Sequence, residues 1–124
     1  MEDYKVEIKE SSKDLSARER ISLKDTTNAI KLDEALAEGN VIITPVDYAI
    51  LAIHNEKAED KDYENYIIVD KSGTKYVTGS SSFWNSFIEI YEEMKDEDEE
   101  YSILAYRVES KNYKGKYFLT CSIQ

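Results

Sequence analysis

The residues of this chain best suited to chemistry gather near its C-terminus, where positive charge alternates with rings. Arg107, Lys111, Lys114 and Lys116 stand among Tyr106, Tyr113, Tyr117 and Phe118, and Glu109 is the lone acid of residues 101–124. The chain as a whole has 26 acidic against 16 basic residues and a net charge of −10. The cluster therefore runs against the composition around it. Cations that follow phosphates, beside rings on which bases stack, suit sequence-tolerant binding of a single-stranded polyanion. An ordinary β-hairpin with a solvated turn is the competing reading of the same residues.

Other chemistries find less support. Cys121 and His54 are each the only residue of their type, so an intrachain disulfide and a thiolate metal cluster are excluded. A Cys–His nucleophile would need these two single residues to meet by chance. No phosphate-binding glycine loop, H-E-x-x-H or G-x-S-x-G motif occurs. An enzyme is not expected, nor a cofactor or a metal. The acidic balance argues against whole-surface binding of nucleic acid. A local basic groove stays compatible with it, because salt confines each patch to about 8–10 Å.

Two strand-like runs, 101–109 and 116–123, must position the cluster. In the second, alternation turns Tyr117, Leu119, Cys121 and Ile123 inward and Lys116, Phe118, Thr120 and Ser122 outward. Phe118 on a polar face is the anomaly. Ahead of the hairpin, residues 81–95 have apolar side chains at 83, 84, 87, 88, 91 and 94, one buried stripe of a helix. Trp84 belongs to that stripe as core. Residues 96–100 are all acidic and end the helix near Lys95.

Further upstream, 65–70 and 74–79 read as strands joined by the turn Lys71-Ser72-Gly73, with positive φ expected at the glycine. Residues 46–55 form a strand apolar on both faces, hence central and buried, and a charged loop follows it. Residues 32–38 read as a short helix with Asp33 capping its start and Gly39 its left-handed stop. Residues 1–31 mix charges without a sustained period and read as a flexible or loosely docked arm, leaving 32–124 as the domain. At 124 residues the chain has room for one domain. No apolar run approaches the ~20 residues that span a bilayer. The start MEDYKVEIKE is too charged for a secretory signal, so a cytoplasmic protein without a membrane partner is expected.

Five strands with one helix between the third and fourth is the order of the OB-fold, a five-stranded Greek-key barrel. A plain α+β sheet with one covering helix is permitted by the same order. The segments IHNEK, YIIVDKSGTKYVTGSSSFWNSF, EIYEEM and SKNYKGKYFLTCSI resemble small single-stranded-DNA-binding-like proteins of phages and mobile elements of Gram-positive bacteria. The resemblance covers roughly 26–123. It implies an OB-type fold, protection of single strands in replication or recombination, and a bacterial host cell. Proteins of this type often end in an acidic, partner-binding tail; this sequence ends Cys121-Ser122-Ile123-Gln124, which puts recruitment of replication partners by such a tail in doubt.

In OB-folds the ligand crosses strands 2 and 3 between the loops joining strands 1–2 and 4–5. The expected nucleic-acid-binding residues are therefore Tyr66, Lys71, Lys75, Tyr76, Arg107, Lys111, Tyr113, Lys114, Lys116 and Phe118. The expected partner is single-stranded DNA, with RNA, a homo-oligomer or replication and recombination proteins also open. The acidic blocks at 56–64 and 96–100 support a different class: an interaction protein that mimics nucleic acid and inhibits a host DNA-binding factor.

Overall fold

The computed structural model describes residues 4–97, 99–112 and 115–124. Among them the chain forms β1 (Tyr4–Ser11), α1 (Ala17–Lys24), β2 (Ile30–Lys31), α2 (Leu32–Glu38), β3 (Val41–Ile43), β4 (Pro45–Asn55), β5 (Asp62–Asp70), β6 (Lys75–Thr78), α3 (Ser81–Met94), β7 (Ile103–Glu109) and β8 (Tyr117–Ile123). The molecule is mainly β. One sheet has the order β1-β4-β5-β6-β2 and the other β3-β7-β8.

The two sheets share one stretch of chain. β3 pairs antiparallel with β7, and β4 pairs with β5 on one side and β1 on the other. Thr44 is the bend between β3 and β4. Its N–H donates to the Asp70 carboxylate (2.7 Å), its carbonyl accepts from the Lys71 N–H (2.8 Å), and its hydroxyl bonds to that of Ser102 (2.7 Å). The bend thus leaves no main-chain group of Thr44 unpaired. Pro45 opens β4, a strand position that tolerates its missing donor.

The expected five-strand barrel does not close. β6 has only four residues, and its outer edge is taken by the parallel β2. On the other side of the opening, α3 lies along β8: Ser82 donates to the Leu119 carbonyl (2.8 Å), and the Ser86 and Thr120 hydroxyls meet at 2.9 Å. A helix thereby covers a strand edge that a barrel would have paired.

Both faces of the larger sheet are buried, as β4's two apolar faces require. On one side α3 brings Phe83, Trp84 and Phe87 against Tyr48, Ile68, Ile43, Ile103, Leu119 and Cys121. Trp84 is 6% exposed, with the Tyr66 ring stacked on it at 4.8 Å and Tyr48 edge-on at 5.3 Å. The stripe read from the sequence is core. On the other side Ala49, Leu51, Ile53, Ile67 and Val77 pack with Leu23, Leu15, Val6 and Ile8.

That second core comes from the segment expected as a loose arm. In its described part, β1 pairs with β4 from Tyr4↔Asn55 to Ser11↔Ala49, and α1 sinks Leu23 onto the sheet. Ser16 and Glu19 form a reciprocal capping box at the start of α1. Two smaller expectations also change. The α2 N-cap is Lys31 without a side-chain bond, and Asp33 instead accepts from the Thr78 hydroxyl at 2.7 Å. Gly39 caps α2 in an extended conformation, φ 159° and ψ 174°, rather than a left-handed one. Gly73 does take positive φ, 92°, in the β5–β6 turn.

Candidate nucleic-acid interface

The β7–β8 hairpin is built by alternation. Its register, from Ile103↔Ile123 to Glu109↔Tyr117, sends Ile103, Ala105, Leu119 and Cys121 into the core. Ser110 N–H donates to the Lys116 carbonyl at 2.8 Å, and Gly115 (φ 82°) supplies the left-handed residue of the turn. Beyond the core the hairpin projects, and its side chains become exposed.

On the projecting part of the core-side face, the Arg107 guanidinium lies 4.2 Å from the Tyr117 ring centroid. Tyr117 is 47% exposed. A guanidinium stacked on a ring is held flat while its N–H edge stays open to an anion. On the opposite face Phe118 is 44% exposed and pairs across the ladder with Val108. Lys111 and Lys116 lie exposed at the hairpin end, with Arg107 and Phe118 on opposite faces of the strands that lead to it. Tyr113 and Lys114 lie outside the described residues.

The other expected residues do not join them. Tyr66 and Tyr76 face α3 as partly buried members of the main core, where burial raises both phenols above their ordinary pKa. Lys75 is on the opposite face of the sheet, because Val69↔Lys75 and Ile67↔Val77 pair on the side covered by α1. Its ammonium donates to the carbonyls of Ser22 (2.7 Å) and Asp25 (2.9 Å), at the end of α1. Lys71 sits at the β5–β6 turn, ion-paired to Glu100 at 3.0 Å. One groove cannot contain Tyr66, Tyr76 and Lys75, since the pleat sends them to opposite faces.

The acidic block at 56–64 is largely answered within the chain. His54 bonds Asp62 through Nδ1 (2.7 Å) and Glu56 through Nε2 (2.6 Å), while Lys61 reaches Glu56 (3.1 Å) and Lys9 reaches Glu64. These carboxylates, Asp62 first, raise the His54 pKa above its ordinary value. Cys121 is buried, and burial pushes its thiol up to about 12. It is no nucleophile near neutral pH.

The sequence reading missed the side chains that continue Phe118 across the smaller sheet, above all Ile42, which is 58% exposed. The signal was present as an alternation within Val41-Ile42-Ile43, but three residues are too few to declare a face. Among the described residues no helix is long and apolar enough to cross a membrane. No family model, no curated protein and no solved structure matches this chain.

Proposed function

We propose that this chain is a sequence-tolerant single-stranded-DNA-binding module whose ligand is held by the β7–β8 hairpin. The observation that carries the reading is the projecting hairpin itself: Arg107 laid on Tyr117 on one face and an open Phe118 ring on the other, with Lys111 and Lys116 at the end. Stacking on such rings contributes about 1–3 kcal/mol per base, and the cations supply phosphate contacts. The pairing pattern supports an open OB-type arrangement. The β3–β4 stretch reaches β5 and β7, β5 reaches β6 and β7 reaches β8, while β2 and α3 stand where β6 and β8 would meet. The resemblance in sequence supports a setting in phage or mobile-element replication or recombination.

The mimic reading has less to stand on, because His54, Lys61 and Lys9 already answer much of the 56–64 block. The test is fluorescence anisotropy with labelled oligo(dT) and oligo(U) across a salt series. Arg107→Gln or Lys111→Gln should weaken binding and shallow the log–log salt slope by about 0.7 for each phosphate no longer neutralised. Phe118→Ala should weaken binding at an unchanged slope, because stacking releases no counterions. A folded protein that binds neither oligonucleotide at low salt would sink the proposal.

A further inference from the structure

The larger sheet ends in two edges of unequal length. At one edge β2 has two residues; at the other β1 runs from Tyr4 to Ser11 with β4 as its single neighbour. β4 fixes which way the β1 main chain points. Its Tyr48 carbonyl accepts from the Ser12 N–H on the β1 side (3.0 Å), and its Asn55 N–H donates to the Lys61 carbonyl on the β5 side (2.7 Å). Even-numbered residues of β4 therefore bond toward β1 and odd-numbered ones toward β5, because main-chain groups alternate between the two sides of a strand. Lys5 and Glu7 stand opposite His54 and Ala52 and bond inward. Tyr4, Val6 and Ile8 stand opposite Asn55, Ile53 and Leu51 and turn their N–H and C=O groups away from the sheet. Among the described residues nothing pairs with these outward groups.

An open edge calls for another strand, and the side chains of this one specify which. Residues 4–8 read Tyr-Lys-Val-Glu-Ile, with Val6 and Ile8 on the side covered by α1 and the charges on the other. The charge pattern reverses its sign about Val6. Antiparallel pairing of two copies centred there sets Tyr4 opposite Ile8, Val6 opposite Val6 and Lys5 opposite Glu7. Residues 4, 6 and 8 exchange the hydrogen bonds, so Lys5 and Glu7 fall in the pairs between, where Cα atoms approach to about 4.5 Å and side chains are closest. These two side chains are 60% and 62% exposed and already meet at 2.9 Å within one strand. Pairing merges two such couples into one cluster of alternating sign. A slip of the register by one step either way sets Lys5 on Lys5 or Glu7 on Glu7, which repulsion disfavours. The bulge between Ile8 and Glu10 ends the regular edge and confines pairing to this stretch.

We infer that β1 is a contact between two copies of this chain, joined edge to edge about a two-fold axis at Val6, so that their larger sheets run on as one. A second copy is selected over a foreign strand because the charges of this edge complement themselves, as a two-fold contact requires. Each copy brings one Lys and one Glu to the charged rows, so the net charge of −10 is not concentrated there. The contact is small, and the dimer it makes is weak and dependent on concentration. The inference stands apart from the proposed function, since the β7–β8 hairpin belongs to the other sheet.

Sedimentation equilibrium over a concentration series reads the contact. Lys5→Glu brings carboxylates together in both charged rows, and Glu7→Lys brings ammonium groups together. Each variant alone should fold, checked by circular dichroism, and should dimerise about tenfold more weakly than wild type, since two rows change sign. An equimolar mixture of the two variants should recover the wild-type affinity, because every charged row then holds one carboxylate and one ammonium. In amide exchange by NMR, the N–H groups of Tyr4, Val6 and Ile8 should gain protection as concentration rises, while those of Lys5 and Glu7 stay unchanged. A protein that remains monomeric at millimolar concentration overturns the inference. So does a dimer that both single variants leave intact, or one that Ile42→Glu disrupts and Lys5→Glu does not. A mixture no tighter than either variant alone refutes the pairing about Val6. Should a charge reversal disturb folding, the wild-type protein decides: a dimer without added protection at Tyr4, Val6 and Ile8 is joined elsewhere.

Discussion

Replacing Lys75 by Met should loosen α1 without unfolding the protein. The variant keeps an unbranched stem of similar length over the sheet and removes the ammonium. With the ammonium go hydrogen bonds of 2.7 and 2.9 Å to the Ser22 and Asp25 carbonyls. A hydrogen bond from a charged donor contributes about 1.5–3 kcal/mol, and a neutral one about 0.5–1.5 kcal/mol. Lys75 is only half-buried, so water competes and the lower figures apply. A cation at a helix C-terminus adds about 0.3–1 kcal/mol through the dipole. Together these give a local loss of about 2 kcal/mol, or roughly thirtyfold in the opening equilibrium. Hydrogen exchange followed by mass spectrometry reads this directly. Peptides covering 17–25 should exchange roughly thirtyfold faster, while those of β4 and β5 keep wild-type protection. Unchanged exchange across α1 would refute the tether. An equal rise throughout β4 and β5 would show instead that the arm is a cooperative part of the whole fold.

Two further outcomes follow from the titrating groups. The His54 pKa lies above its ordinary 6.5 because of Asp62 and then Glu56, so the clasp on the β4–β5 loop is fully present below pH 6.5 and is lost as pH rises through the raised value. The single imidazole signal in an NMR titration should show this, Asp62→Asn should lower the midpoint, and a midpoint at or below 6.5 in the wild type would contradict the geometry. Cys121 should resist thiol reagents near pH 8 in the native protein and react at the rate of global unfolding, since it is buried with its thiol pushed up to about 12. Rapid labelling without denaturant would show that β8 detaches on its own.

The parts legible in the sequence are those whose neighbours are close along the chain. β4, β5, β6, α3, β7 and β8 fall near the positions read from alternation and from the 83–94 stripe, because each carries its burial pattern internally. β5 starts earlier than expected, at Asp62, since pairing with His54 extends the ladder into charged residues. β1 was missed because YKVEIKES has only Val6 and Ile8 to bury, and its ladder depends on β4, far along the chain. The two apolar faces of β4 already required a cover on each side, and the Ser16–Glu19 capping box marked where one helix begins. Taken together they could have docked the arm. For the candidate site, the mix of rings and cations singles out the hairpin end in the sequence. The separation of Tyr66 and Tyr76 from Lys75 was not legible there, because their facing depends on which side of the sheet each element covers.

The β3–β7 pairing also bears on how the chain acquires its structure. Val41 meets Ala105 only by enclosing β4, β5, β6 and α3 in one loop, whereas the β4–β5 and β5–β6 connections are short turns. Contacts so remote along the chain are slow to form, and each carries the closure entropy of everything between. The smaller sheet is therefore the last piece to condense, docking through the three residues of β3 and through the packing of β7 and β8 against α3. A chain with the β4-β5-β6 meander in place and β7–β8 still adrift would look largely folded by its secondary structure and would still lack the proposed binding hairpin. Refolding monitored by ligand capture should accordingly lag behind refolding monitored by circular dichroism.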